Sequence, residues 1–280
     1  MVFFTVAAAL FAAGLLWLGV SAQRAHARRE RFLNAPFPRE WAKIIRREVP
    51  LAARIPRELR PRYARRVKEF LLDKTFEPCG GLAEISTKTA VVVAANASFL
   101  ALGRDVPAWR ALRSVLIYPT SFRLEDPTET APASADDADA LRVPVSDEAP
   151  RNDGESRAAH GVVILSHERL LRDAAYSGNA QNVVVHEFAH QFADTEPLFF
   201  PRERVRAWEA LFDREMARLR ARDAASILDD YGADDPAEFF AVSTEAFFGT
   251  PRELRRAHPE VYAALAEIYA LDPAEWEENA

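Results

Sequence analysis

From Val2 to Val20 the chain reads VFFTVAAALFAAGLLWLGV, and no charged residue occurs before Arg24. At about 1.5 Å per residue such a run is long enough, as a helix, to cross a hydrocarbon core of about 30 Å. It also lacks the polar face of a helix lying on a globular core. Positive charge follows the run, with Arg24, Arg28, Arg29 and Arg31 close behind it. A secretory signal carries its charge in front. Although Val20-Ser21-Ala22 could serve as a cleavage site, the pattern therefore predicts a retained anchor over residues 1–23. The positive-inside bias places the rest of the chain on the cytoplasmic side of the inner or cytoplasmic membrane.

Beyond the anchor, Pro36 to Phe70 reads as short helices punctuated by Pro50, Pro56 and Pro61, with Trp41, Ile44, Ile45, Val67 and Phe70 directed at a core. Pro78-Cys79-Gly80-Gly81 marks a turn. Thr87 to Leu102 is an apolar helix that ends at Gly103. Ser114 to Tyr118 (SVLIY) and Gly161 to Ser166 (GVVILS) have the composition of strands. Between them, residues 125–155 carry ten acidic residues against Arg142 and Arg151, with four prolines among small residues. That composition predicts a solvated loop, either a linker or a lid, with a short extended piece at Leu141 to Val145.

Composition narrows the chemistry. With 280 residues, 49% apolar and 28% charged, the chain can bury a sizeable core. Cys79 is the single cysteine, which excludes an intramolecular disulfide and a cysteine-based zinc knot. A metal would have to sit on histidine and carboxylate, which suits an open catalytic site. The net charge of −6 conceals thirteen arginines and one lysine against four glutamates between Arg24 and Arg66. Next to the apolar run this basic segment, 24–66, reads as a juxtamembrane flank and helical scaffold, and no nucleic-acid partner is expected.

Gln181 to Ala193 (QNVVVHEFAHQFA) predicts a helix buried on its Val183, Val184 and Phe188 side. Four residues apart, His186 and His190 share one face, so both imidazoles can converge on one ion. Glu187 then stands beside the ion without ligating it. Zinc acidifies water while the neighbouring glutamate takes the proton and later hands it to the leaving amine. His26, His160, His167 and His258 lack such an arrangement and read as surface or packing residues.

A third ligand must come from elsewhere, and no histidine follows at metzincin spacing, which points to a downstream acid. In Asp229 to Glu245, Asp235 reads as an N-cap and Pro236 as the first helical residue. Glu238 and Glu245 then lie on one face. On spacing alone Glu238 could equally be the glutamate of a capping box. Glu245 and Asp194 are candidates for orienting a ligating histidine.

These motifs resemble the Mlc titration factor A peptidases, and at the zinc site the catalytic domain of anthrax lethal factor. The resemblance runs from about Trp41 to Pro273 and includes Phe76-Glu77-Pro78-Cys79-Gly80-Gly81-Leu82, Ile117-Tyr118-Pro119, Gly154-Glu155-Ser156, His186-Glu187-Phe188-Ala189-His190, and Tyr231-Gly232-Ala233 through Phe239-Phe240-Ala241-Val242. It implies one Zn²⁺ on His186, His190 and Glu238, Glu187 as general base, and Tyr231 near the oxyanion. It also implies aminopeptidase-like activity and binding of a transcriptional regulator.

The expected architecture is α+β: a zincin-like metallopeptidase domain over residues 36–275, preceded by an N-terminal transmembrane helix. The expected function is hydrolysis of peptide or protein substrates in the gluzincin manner. The strand before the active-site helix could hold an extended peptide if it lies at a sheet edge, and is structural if interior. A membrane-tethered regulator-binding protein with a structural zinc is the alternative function.

Overall fold

The computed structural model describes residues 2–105, 109–121, 154–174, 181–195, 200–221 and 226–276. The chain divides into two units, Met1–Pro38 and Arg39–Ala280. The first is one helix, α1 (Val2–Asn34), which continues without a break through the arginines.

The expected transmembrane helix is corrected at this point. Among the described residues no helix is long and apolar enough to cross a membrane. The described side chains of α1 begin at Leu16, so most of the apolar run lies outside them. Beyond the exposed Leu16, Trp17 and Val20, the helix turns to Arg24, Arg28, Arg29, Glu30 and Arg31, a charge density that hydrocarbon does not accept. The single-pass membrane location and the membrane partner fall with that span.

The second unit mixes helices with a small sheet. In chain order it holds α2 (Arg39–Glu48), α3 (Arg60–Asp73), β1 (Thr75–Pro78), α4 (Thr87–Leu100), β2 (Ser114–Tyr118), β3 (Gly154–Arg157), β4 (Val162–Ser166) and α5 (His167–Ala174). Then follow α6 (Val183–Thr195), α7 (Arg202–Ala221), α8 (Pro236–Gly249), α9 (Pro251–Ala257) and α10 (Pro259–Tyr269).

The sheet order is β1-β2-β4-β3. β1, β2 and β4 run parallel, with Val115 opposite Val163 and Ile117 opposite Leu165, while β3 is antiparallel to β4. All residues of β2 and β4 are buried, as expected of strands covered on both faces. The strand before the active-site helix is therefore interior, and the edge on its side of the sheet is β3, a Gly-Glu-Ser-Arg strand whose first two residues fall in the segment expected to be a loop. The remainder of that acidic segment through residue 153, including Leu141 to Val145, lies outside the described residues.

α4 is capped by Ser86, whose Oγ accepts from Thr89 N–H at 3.1 Å. From Val91 to Leu100 every residue is buried, so past its first turn α4 is a central helix with no solvent face. α6 packs on α4, α8 and the β3–β4 side of the sheet. Its Phe188 is fully buried between Phe70 and Trp109, with ring centroids at 5.5 and 5.0 Å. Burial of a side chain of that size stabilises the fold by about 1.5–3 kcal/mol. On the α8 side, Phe192 and Phe240 meet Tyr269 of α10. The phenol of Tyr269 lies 3.0 Å from the Thr244 hydroxyl, so its polar tip is satisfied in the core.

Candidate metal centre

The register of α6 starts from Asn182. Its Oδ1 accepts from Val185 N–H at 3.2 Å, the bond of an N-cap residue. Its Nδ2 donates to Asn96 Oδ1 on α4 at 2.9 Å, and its backbone N–H donates to Glu245 on α8. The next free donor, Val183 N–H, is taken by Asp173 of α5. Three elements, α4, α5 and α8, thus fix the helix that carries the histidines. Nothing in the sequence pattern marked Asn182 beyond its aptitude as a cap.

One turn in, His186 and His190 stand on the same face with ring centroids 4.8 Å apart. α8 brings the acids. Asp235 caps it by accepting from Ala237 and Glu238 N–H at 2.8 and 3.0 Å, with Pro236 in the first turn. The Glu238 side chain does not complete a capping box. It turns to the histidines, with Oε2 3.0 Å from His186 Nε2 and Oε1 3.5 Å from His190 Nε2. Donor atoms of His186, His190 and Glu238 all lie within 4.8 Å of one another, and all three side chains are partly buried.

Two turns along α8, Glu245 Oε1 is 2.8 Å from His186 Nδ1. Glu245 thus holds the far side of the ring and, through Asn182, the start of the helix that bears it. Asp194, the other candidate for such a role, is exposed and makes no bond to His190 among the described residues.

Glu187 is 4% exposed and packs against the backbone of Gly154 on β3. The edge strand is also tied to α6 by Ser156, whose Oγ donates to Gln191 Oε1 at 3.3 Å. Tyr231 sits on a short 3₁₀ turn, Asp230–Ala233, where Asp229 accepts its N–H. Its ring centroid is 6.1 Å from that of His186, and the residue is 51% exposed.

The charges are strongly coupled. Burial lifts the Glu187 carboxyl to about 7 against the pull of His186 and His190. Burial also opposes charge on His186 and Glu238, but their mutual hydrogen bonding wins. His186, bonded in addition to Glu245, is pushed up to about 10, and Glu238 is held near 2. Burial and the Glu238 carboxylate raise the Tyr231 phenol to about 12.

The family model of the glucose-regulated metallo-peptidase M90 matches residues 23–270. The chain belongs to that family. This M90 metallopeptidase is 28% identical to Mlc titration factor A of Cronobacter sakazakii over 253 residues, covering 85% of this chain and 88% of the relative. It is 26% identical to Mlc titration factor A of Pectobacterium atrosepticum over 257 residues, 85% and 90% of the two chains. A similar likeness, 28% over 255 residues and 88% and 89% of the chains, joins it to the uncharacterized protein slr2042 of Synechocystis.

Membership in a metallopeptidase family implies a metal, and the residues of the M90 centre fit one. Two imidazoles and a carboxylate converge, while three largely buried glutamates, Glu187, Glu238 and Glu245, crowd the two histidines. Such a cluster of carboxylates is costly without a compensating cation.

Proposed function

We propose that the protein is a zinc-dependent peptidase of the gluzincin type, with His186, His190 and Glu238 as the metal ligands, Glu187 as general base and Tyr231 as oxyanion donor. The observation that carries this reading is the convergence of the three donor groups, with Glu245 orienting His186 from behind. When bound, Zn²⁺ supplies Lewis-acid polarisation of the scissile carbonyl and acidification of water.

Glu187 does the proton work. A carboxyl lifted to about 7 by burial is matched to neutral pH. As carboxylate it removes a proton from water as the oxygen attacks the carbonyl carbon. As acid it returns that proton to the amine when the C–N bond breaks, leaving a carboxylic acid and a free amine. The phenol of Tyr231, protonated at neutral pH at its ordinary value of about 10 and more so at the raised one, donates to the oxygen of the tetrahedral intermediate. Among the described residues β3 pairs only with β4, and its outer edge, beside Glu187, is where an extended peptide would add.

The resemblance noted in the sequence favours aminopeptidase-like trimming. The name carried by the relatives, Mlc titration factor A, supports a titrated protein partner as well, in line with the regulator implied by the resemblance. Incubating metal-free and zinc-reconstituted protein with a mixed peptide library, and reading products by mass spectrometry, tests the reading. Cleavage that appears with zinc and disappears with a chelator supports it. A zinc-loaded protein that cuts nothing returns the centre to a structural role.

A further inference from the structure

The 3₁₀ turn that carries Tyr231, Asp230–Ala233, is four residues long, and the residue it presents is half-exposed. So short a turn has little stability of its own, and packing of a half-exposed ring does not fix where its hydroxyl points. The aim has to come from whatever holds the turn, and it is held at both ends. Arg220, in the last turn of α7, donates to the carbonyls of Ala233 and Asp234. In the middle of the turn the buried Gly232 backs onto Val242 of α8. At the other end Asp229 uses both oxygens: Oδ1 accepts from Tyr231 N–H at 3.0 Å, and Oδ2 accepts from Gln181 Nε2 at 2.9 Å.

Gln181 directly precedes Asn182, the cap of the helix that bears the histidines. Its Oε1 accepts from Arg169 of α5 at 3.2 Å, and Arg169 Nε donates to the buried Asp173 at 2.6 Å. Asp173 in turn takes the Val183 N–H of α6. A row of hydrogen bonds thus runs from the first turn of α6 through Asp173, Arg169, Gln181 and Asp229 to the backbone of Tyr231. Its middle member has to be two-sided. A carboxylate only accepts and a guanidinium only donates, so the side chain between them must give a proton to Asp229 and take one from Arg169. The glutamine amide does both, whereas a glutamate there would meet the Asp229 carboxylate as a like charge. We propose that Gln181 and Asp229 are positioning residues for the Tyr231 phenol, tying the turn that presents it to the helix that carries His186 and His190. The proposal rests on the reading of Tyr231 as oxyanion donor and adds to it the residues that aim it.

The test uses the full, zinc-loaded chain and exchanges the two side chains of the clamp; both positions are exposed, so the fold should survive. Gln181→Glu alone sets two carboxylates against each other. It should lower kcat by at least about 10-fold with KM and zinc content unchanged, because a misplaced oxyanion donor is missed only in the transition state. Gln181→Glu combined with Asp229→Asn should bring kcat back to within about 2-fold of wild type. In that pair the new amide donates to the new carboxylate while its oxygen still accepts from Tyr231 N–H, and Arg169 keeps its acceptor. In Tyr231→Phe protein, Gln181→Glu should cause no further loss, since the hydroxyl through which it acts is already gone. A wild-type kcat in Gln181→Glu, an equal loss in the Tyr231→Phe background, or no recovery in the paired exchange overturns the proposal. Chains carrying fluorotyrosine add a readout that needs no turnover. The fluorine resonance of position 231, assigned by its absence from Tyr231→Phe, should move in Gln181→Glu and return in the paired exchange. The two readings then separate: a zinc-loaded protein that cuts nothing sinks the peptidase, whereas a fluorine resonance indifferent to Gln181→Glu sinks the clamp.

Discussion

Gly154 of the edge strand lies so close to Glu187 that a β-carbon on it would stand 2.6 Å from Glu187 Cγ. The Glu187 carboxyl is therefore accommodated by the absence of a side chain on β3, and the strand and the proposed base cannot be adjusted independently. Gly154→Ala should push Glu187 out of line without touching a ligand. A displacement of about 1 Å at a reacting group costs roughly 100-fold in rate. Steady-state kinetics should show a fall in kcat of that order with zinc content unchanged; wild-type kcat would mean that β3 gives way instead.

Glu238 and Glu245 sit two turns apart on α8 and contact opposite nitrogens of His186. Their losses should differ in size. Glu238→Ala removes a ligand and should abolish stoichiometric zinc, whereas Glu245→Ala removes an orienting partner and should weaken zinc by about 10- to 100-fold. Zinc titration of both variants, with folding checked by circular dichroism, tests the assignment. The reverse order would make Glu245 the ligand.

The metal-free centre should bind zinc in competition with protons. His186 is bonded through both nitrogens to carboxylates, which outweighs the cost of burying its charge and raises it to about 10. The raised value means that protonated His186 stabilises the metal-free fold fully below its unfolded pKa of about 6.5, a contribution lost as pH rises through about 10. Zinc must displace that proton from Nε2. Its affinity should therefore rise by about tenfold per pH unit between pH 6 and 8. A chelator-competition titration at several pH values reads the slope, and a flat profile would show that His186 carries no such proton.

Tyr231 is half-exposed beside the ligand trio, so it can be changed without opening the core. Tyr231→Phe should leave folding and zinc content intact and lower kcat by roughly 100-fold, the usual scale for one oxyanion donor. An unaltered kcat would leave the ring as a packing element of the 3₁₀ turn.

How far the sequence reached depended on whether the information was local. His186, Glu187 and His190 follow from helical periodicity, as does the common face of Glu238 and Glu245. The choice between cap and metal side for Glu238 was open on spacing, because Asp235 to Glu238 satisfies both patterns; it turns on where α6 lies, a tertiary fact. β3 was illegible because Gly-Glu-Ser-Arg has neither apolar alternation nor β-branched residues and is a strand only by pairing with β4. Without it, the edge or interior position of β4 could not be decided. Asn182 shows the same limit, since its cap is local but its bonds to Asn96 and Glu245 join residues 86 and 63 positions apart. The membrane span was inferred from composition, and the described α1 does not support it.

The central claim is that Glu187 moves the proton and does not hold the metal. Glu187→Gln, nearly isosteric in a buried position beside Gly154, separates these roles in one preparation, by measuring bound zinc and peptide hydrolysis together. The account predicts stoichiometric zinc with hydrolysis reduced to background. Hydrolysis at the wild-type rate, or loss of zinc along with activity, would contradict it.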